Sequence, residues 1–565
     1  MMTEGAGQFT VNHLAETHEV FNQSPALVDY NSYLGDTALR EGVQRHGATW
    51  SGAALERHGE RCGSAQVIEW GFLANEYRPQ FYSHDRQGRR IDEVRYHDAY
   101  HQLMRLGLEA GLHSAPWTRP GQGAHVARAA QYYLQAQVES GHGCPLTMTF
   151  AAVPSLRLTP AFAEVWLPGI LACDYQPENV PYMQKNALTI GMAMTEKQGG
   201  SDVRANTTRA RALGARGPGR DYELVGHKWF TSAPMCDAFL VLAQCEGGLS
   251  CFLVPRWRPD GSKNPLQVQR LKNKMGNVAN ASSEIELRGA LGWMVGDEGR
   301  GVPAIIEMVA MTRFDCMVGS AAAQRQALSQ AFNHASGRAA FGRRLLDQPL
   351  MRNVLADLQL EVEGSLALML RMAAALDQSL APEGSEHDAA LLRLGLPVGK
   401  YWICKRTPSV TYEAMECLGG NGVIEDFMLA RLYRDAPVNA IWEGSGNVQA
   451  LDILRAVDRT PGVLEAWYAE LEAVQGQHAV LDAAVGELKS AMGDAHEREF
   501  RARCLAEQLA LTLQSALLLQ SGHSRVADAF IRSRLGSRGE RNFGTLADTD
   551  TVDALLARAD PHLIC

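Results

Sequence analysis

The feature that most constrains the fold of this chain is a change of hydrophobic period partway along it. From 187 to 295, short β-rich runs are separated by Gly, Pro and Asn, whereas on either side apolar residues recur at helical spacing. The runs fall at 187–194, 222–230, 238–243, 250–254, 266–271 and 284–287, and the stretches LGARGPGRD (213–221) and RPDGSKNP (258–265) are loop material between them. Helices and strands that occupy separate blocks predict an α+β architecture with a compact β-domain between helical ones. They disfavour a Rossmann fold, and no strand is followed by G-x-G-x-x-G.

Upstream, residues 91–184 read as mostly helical, while the turn-rich, polar residues 1–90 read as an extension that wraps rather than as a core of its own. Downstream, 305–334, 388–415 and 348–377 read as long helices with a break at 382–385, and a further helical block follows residue 460. At 565 residues the chain exceeds one hydrophobic core, so two to four domains are expected, and the changes of pattern divide it at 1–186, 187–296, 297–459 and 460–565. A formal charge of −9 argues against a basic surface spread over the whole molecule, so any nucleic-acid site must be local. Eleven cysteines without paired close spacings point to reduced thiols in a cytosol. With no basic-then-apolar leader and no apolar run near 20 residues, a cytoplasmic protein without a membrane span is expected. The 17 histidines form no metal-ligand pattern, so no metal is expected.

Three segments carry candidate chemistry. MAMTEKQGGS, from Met192 through Ala193, Met194, Thr195, Glu196, Lys197, Gln198, Gly199 and Gly200 to Ser201, ends in a small-residue turn that lets backbone N–H groups approach a planar or anionic ligand; a plain Gly-rich hairpin explains it equally well. GHKWFTS (226–232) closes a strand with Trp229 and Phe230, surfaces for a flat ring, followed by Thr231 and Ser232, whose hydroxyls suit a polar edge; such aromatics are also ordinary core. In IWEGSGN, Glu443 stands between Trp442 and the turn Gly444-Ser445-Gly446, flanked by Ile441 and Asn447. Desolvation there would raise its pKa toward that of a general base for carbon acids, although a lone Glu is more often a solvated acid or a helix cap.

Together, and in this order, these segments resemble the acyl-CoA dehydrogenase family, as do RAAFG at 338–342, Gln348 and CLGGNG at 417–422. The resemblance implies FAD held by the first two segments. It implies that Arg338, Phe341, Gln348, Gly419 and Gly420 reach the FAD of a neighbouring subunit in a homotetramer, and that Glu443 is the catalytic base. MTFAA (148–152), MTRFDC (311–316) and PVNAIWEGSGN (437–447) look like the family's AidB branch, the alkylation-response flavoproteins, as do the extensions at both ends. Two departures are Glu416, where many relatives carry Gln, and Val423, where many carry an aromatic.

The branch resemblance implies a flavoprotein of the response to DNA alkylation that binds double-stranded DNA without sequence preference and protects it, with at most weak activity on an acyl-CoA. A metabolic short- or branched-chain acyl-CoA dehydrogenase without a DNA role is the alternative. Residues 460–565 carry 10 Lys/Arg against 15 Asp/Glu, yet 525–541 has five arginines against two acids, a local +3. Arg532, Arg534, Arg538 and Arg541 are therefore candidate phosphate contacts, unless they form a solvated helix face, and Arg455 is added from the branch match.

Overall fold

The computed structural model describes residues 17–536 and 542–563. Arg538 and Arg541 lie outside the described residues.

The N-terminal region is more structured than its composition suggests. Residues expected to form a turn-rich extension contain the helices Thr37–Arg45, Gly52–Gly63 and Ala65–Glu76 and a hairpin of Gln80–His84 with Arg90–Arg95. Some of the polar residues that look like turn formers are helix caps: the Asp36 carboxylate accepts from Leu39 N at 3.0 Å, and the Ser64 hydroxyl caps the helix beginning at Ala65. These helices bury Leu39, Val43, Leu55 and Val67 in the same core as the helices Asp98–Glu109, Ala124–Ala136, Gly143–Arg157 and Pro160–Ile170. The segment before them does wrap. Asn22 Nδ2 donates to Ala339 O at 2.9 Å and Ser24 Oγ to Asn333 O at 2.8 Å, both more than 300 residues away in sequence.

Seven strands form the β-region between Ile190 and Val295: Ile190–Ala193, Arg209–Ala212, Asp221–Ser232, Ala238–Cys245, Gly248–Pro255, Leu266–Leu271 and Ser282–Val295. Ala238–Cys245 pairs with Gly248–Pro255 in a tight antiparallel hairpin, and Gly248–Pro255 also pairs with Ser282–Val295, which pairs with Asp221–Ser232. Arg209–Ala212 bridges from Asp221–Ser232 back to Ala238–Cys245, so the sheet closes on itself. Alternation in Asp221–Ser232 turns Tyr222, Leu224 and Lys228 inward, and a register shift between Lys228 and Thr231 brings Thr231 inward as well. The short strand Arg209–Ala212 (RARA) has too few apolar residues to announce itself in sequence.

Three long helices, Gly301–Gly337, Pro349–Ser379 and Glu386–Cys417, form the bundle that follows. Ser385 caps the third, accepting from Asp388 N at 3.1 Å, which fixes the expected break between the second and third. The helices after residue 460 pack on this bundle rather than apart from it: Leu505, Leu509 and Leu513 of Ala502–Gln520 share its core, and Arg558 bridges Glu41 and Glu363. No described helix is long and apolar enough to cross a membrane.

Candidate active site

Glu443 lies in the short connection between the helices Met428–Asp435 and Gly446–Arg459. Its backbone is left-handed, with φ 56°, a conformation that non-glycine residues hold only when their surroundings impose it. Here three side chains do so. Lys400 Nζ donates to Gly444 O at 2.8 Å and Asn439 O at 3.0 Å; Arg313 Nε donates to Glu443 O at 3.0 Å; and Gln449 Nε2 donates to Glu443 O and Gly444 O at 3.0 and 2.9 Å. Lys400 is fully buried in the helix Glu386–Cys417, and its ammonium is spent on carbonyls, not on a carboxylate. Trp442 is fixed in turn, its indole N–H donating to Asn439 Oδ1 at 2.9 Å.

The Glu443 side chain is half-buried, and its carboxylate accepts one side-chain hydrogen bond, from Thr312 Oγ1 at 3.0 Å. Burial raises its pKa above the ordinary carboxyl value; the Thr312 hydroxyl, Lys400 and Arg313 only partly oppose this. A carboxylate with an elevated pKa and one neutral hydrogen bond can take a proton from carbon. Thr312 and Arg313 belong to the MTRFDC stretch, whose spacing places both on the face of Gly301–Gly337 turned to this loop.

The segment from Met192 to Ser201 leaves strand Ile190–Ala193 and turns at Gly199, with φ 143°. A Cβ on Gly200 would lie 2.5 Å from Thr195 Oγ1, so a larger residue there would have to displace the Thr195 side chain. Lys197, Gln198, Gly199 and Ser201 are exposed, Met192 and Ala193 are buried, and Met194 and Thr195 are intermediate. Glu196 needs correcting as a cofactor contact. Its carboxylate is fully buried, and both oxygens are taken by protein donors: Lys228 Nζ at 2.8 Å, Thr207 N at 2.7 Å and Thr208 N at 3.1 Å. The carboxylate braces the loop from within the protein. Phe230 is half exposed, while Thr231, on the opposite face of its strand, is fully buried and its hydroxyl has no partner. Ser232 Oγ lies 3.0 Å from Ser282 Oγ.

Arg338, Phe341 and Gln348 fall around the small hairpin Ala339–Ala340 with Arg343–Arg344. Arg338 Nη1 donates to Asn22 O at 2.7 Å, Gln348 Nε2 donates to Ala340 O at 3.1 Å, and Phe341 is fully exposed with φ 52°. Gly419 and Gly420 are exposed in a 3₁₀ turn, and Gly419 has φ 59°. Ile441 and Asn447 are exposed, whereas Gly444, Ser445 and Gly446 are half-buried.

The arginines divide. Arg534 needs correcting as a phosphate contact: its side chain is 9% exposed and pairs with both Asp357 and Glu361, so it is committed to the interior. Arg532 is exposed, with an i,i+4 partner in Asp528. Arg455 is 54% exposed and shares Asp452 with Arg313 and Arg393, at 3.9, 2.7 and 2.9 Å respectively. Three guanidiniums on one carboxylate leave a local surplus of positive charge. Sequence reasoning assigned no role to Lys400 or Gln449. A lone lysine in the apolar run LGLPVGKYWIC was the available signal for the first, and Gln449 had none.

Residues 22–177 match the model of the adaptive response protein AidB N-terminal domain, 191–290 the acyl-CoA dehydrogenase middle domain, and 299–457 its C-terminal domain. The chain is 45% identical to AidB of Escherichia coli K12 over 93% of its own length and 95% of the relative's. It belongs to the acyl-CoA dehydrogenase family, in its AidB branch. Another family member, acyl-CoA dehydrogenase family member 11 of Caenorhabditis elegans, is 32% identical over 78% of this chain and 72% of the relative. The crystal structure of C. elegans ACDH-11 in complex with C11-CoA superposes with a TM-score of 0.82 at 27% identity, covering 98% of this chain and 95% of that one. An acyl-CoA dehydrogenase from Bacillus anthracis solved with FAD, at 19% identity and a TM-score of 0.62 over 82% of this chain and 81% of that one, shares the family fold.

Proposed function

We propose that the protein binds FAD and uses Glu443 to remove the α-proton of a short acyl-CoA. The observation that carries this reading is the Glu443 carboxyl, raised in pKa by burial and set on a backbone held by Lys400, Arg313 and Gln449. The residues present fit the cofactor. The buried Thr231 hydroxyl without a partner would meet a polar ring edge, and the turn at Gly199 has open space where a side chain would otherwise stand, so a ligand can come close to its backbone. FAD, when bound, supplies the acceptor for the β-hydride. The protein's own share is to orient the thioester and hold the proton on Glu443. Anaerobic titration of the yellow holoprotein with acyl-CoAs tests this: bleaching of the flavin band by wild type but not by Glu443→Gln is expected, and equal bleaching by both removes Glu443 from the role. Exposure of Phe341, Gly419 and Gly420 suits contacts with a neighbouring chain, as a homotetramer with shared cofactor sites would need.

A second role, as a protector of duplex DNA in the alkylation response, is favoured by the match to AidB and by the charge surplus around Asp452. Arg455 and the neighbouring exposed Arg459 would contact phosphates, giving sequence-independent, salt-sensitive binding. Acyl-CoA oxidation in this reading is weak. Retardation of arbitrary duplex DNA that vanishes at high salt is the expected result, and no retardation at low salt would exclude the role.

A further inference from the structure

Asp435, the last residue of the helix Met428–Asp435, precedes Glu443 by eight residues and reaches out of the helical bundle. One oxygen of its half-buried carboxylate accepts from Asn277 N, and the other from Ser140 Oγ at 3.1 Å. Asn277 stands in the loop between the strands Leu266–Leu271 and Ser282–Val295, and Ser140 in the turn before the helix Gly143–Arg157. One side chain thus joins the N-terminal helical region, the β-region and the bundle. Main chains meet at the same place: a Cβ on Gly276 would collide with Arg434 O, and one on Gly141 would lie 2.9 Å from Asn280 N. Arg431, one turn earlier in the helix, donates from Nη2 to Val138 O at 2.6 Å. Asn277 holds a left-handed backbone, with φ 54°, at the N–H it presents to Asp435.

The gripped loop leads straight to the strand end proposed above to meet the cofactor. Ser282 pairs with Ser232 and Ser283 with Thr231, and Ala233 N donates to Ala281 O at 2.8 Å. By contrast, Lys400, Arg313 and Gln449 stand on helices of the bundle and relate Glu443 only to that bundle. Proton removal depends on the base being set against both thioester and flavin, and a misplacement near 1 Å costs about 100-fold in rate. We propose that Asp435 is a positioning residue for Glu443, fixing the chain that leads into the base loop to the β-region beside Thr231 and Ser232. This inference rests on the acyl-CoA reading above. Asp435 takes no part in the bond changes and acts through residues 436–442.

Hydrogen exchange of the FAD-loaded holoprotein, read on peptides spanning 436–446 against peptides of Glu386–Cys417, tests the tie without any substrate. Asp435→Ala should speed exchange in 436–446 at least ~10-fold and leave Glu386–Cys417 unchanged, since only the local opening of that segment becomes easier. Asp435→Asn, which keeps an oxygen for Asn277 N and an amide to meet Ser140 Oγ, should restore most of the protection. With butyryl-CoA under anaerobic conditions, Asp435→Ala should lower the saturating bleaching rate at least ~10-fold and change half-saturation by less than about threefold. Ser140→Ala removes only one of the two bonds and should speed exchange in 436–446 roughly fivefold, which decides the matter if Asp435→Ala loses FAD. Wild-type exchange in 436–446 of either alanine variant, or faster exchange spread equally over both sets of peptides, would overturn the assignment, as would an undiminished bleaching rate in Asp435→Ala. If butyryl-CoA fails to bleach even the wild type, the dehydrogenase reading alone falls, and exchange still decides whether Asp435 orders the base loop.

Discussion

Lys400 Nζ lies 2.8 Å from the carbonyl oxygen of Gly444, the residue after the candidate base, although the two stand on different elements 44 residues apart. Together with its bond to Asn439 O, this makes one buried lysine the clamp on both sides of Trp442 and Glu443. Replacing it by methionine keeps the apolar stem but takes the ammonium from Asn439 O and leaves Gly444 O with Gln449 Nε2 alone, at a cost of about 1–3 kcal/mol. Lys400→Met should therefore lower Tm and slow acyl-CoA-dependent bleaching even where FAD remains bound. A variant with wild-type Tm and bleaching rate would show that the loop needs no clamp.

Glu443 titrates above its ordinary range because burial disfavours its charge. The bleaching rate should rise with pH through that elevated pKa, since only the carboxylate is a base. The effect on stability has the opposite sign. The folded state binds the proton more tightly than the unfolded chain, so the group's contribution is greatest below the unfolded carboxyl pKa and declines as pH rises through the folded one. Glu443→Gln should consequently be at least as stable as wild type at neutral pH, and inactive. Denaturant melts of both proteins between pH 4 and pH 8 check the sign.

Thr231 offers a different separation of fold from function. Its hydroxyl is buried without a partner, so Thr231→Val removes a polar atom the protein itself does not satisfy. The apoprotein should melt at the same temperature or higher, while FAD affinity falls by roughly tenfold, the worth of about one hydrogen bond. Equal FAD affinity in the two proteins would place the cofactor's polar edge elsewhere.

For DNA, the arginines predict unlike outcomes. Burial pushes Glu361 upward, but Arg406 and Arg534 pull it further down, to about 2. Arg534→Glu breaks this buried cluster and should destabilise by about 3–5 kcal/mol, lowering Tm whether or not DNA is present. Arg455→Glu with Arg459→Glu should instead leave Tm near wild type. It should flatten the slope of log affinity against log salt by about one to two units, at about 0.9 per phosphate contact. Unchanged slope and affinity in this double variant would move the DNA face away from the helix Gly446–Arg459.

What was legible in the sequence was whatever depended on local pattern. The long helices at 301–337, 349–379 and 386–417 and most strands announced themselves by period, and Glu443 by its place between Trp442 and a Gly-Ser-Gly turn. What was not legible depended on partners distant in the chain. Five arginines in a row of seventeen residues look like a basic face, but Asp357 and Glu361, more than 170 residues earlier, draw Arg534 inward. Glu196 looked like part of a ligand loop until Lys228 and the Thr207–Thr208 backbone claimed its oxygens. Residues 37–76 were missed as helices because their caps, Asp36 and Ser64, are the same residue types that make turns.

The left-handed backbone at Glu443 sets thermal robustness against chemistry at a single codon. Non-glycine residues in this conformation carry a penalty of roughly 1–2 kcal/mol, which glycine escapes. A laboratory selection for heat resistance alone would drift toward glycine or asparagine at 443 and discard the base without disturbing the surrounding fold. Retention of glutamate through such a selection would itself indicate that the carboxylate was being used.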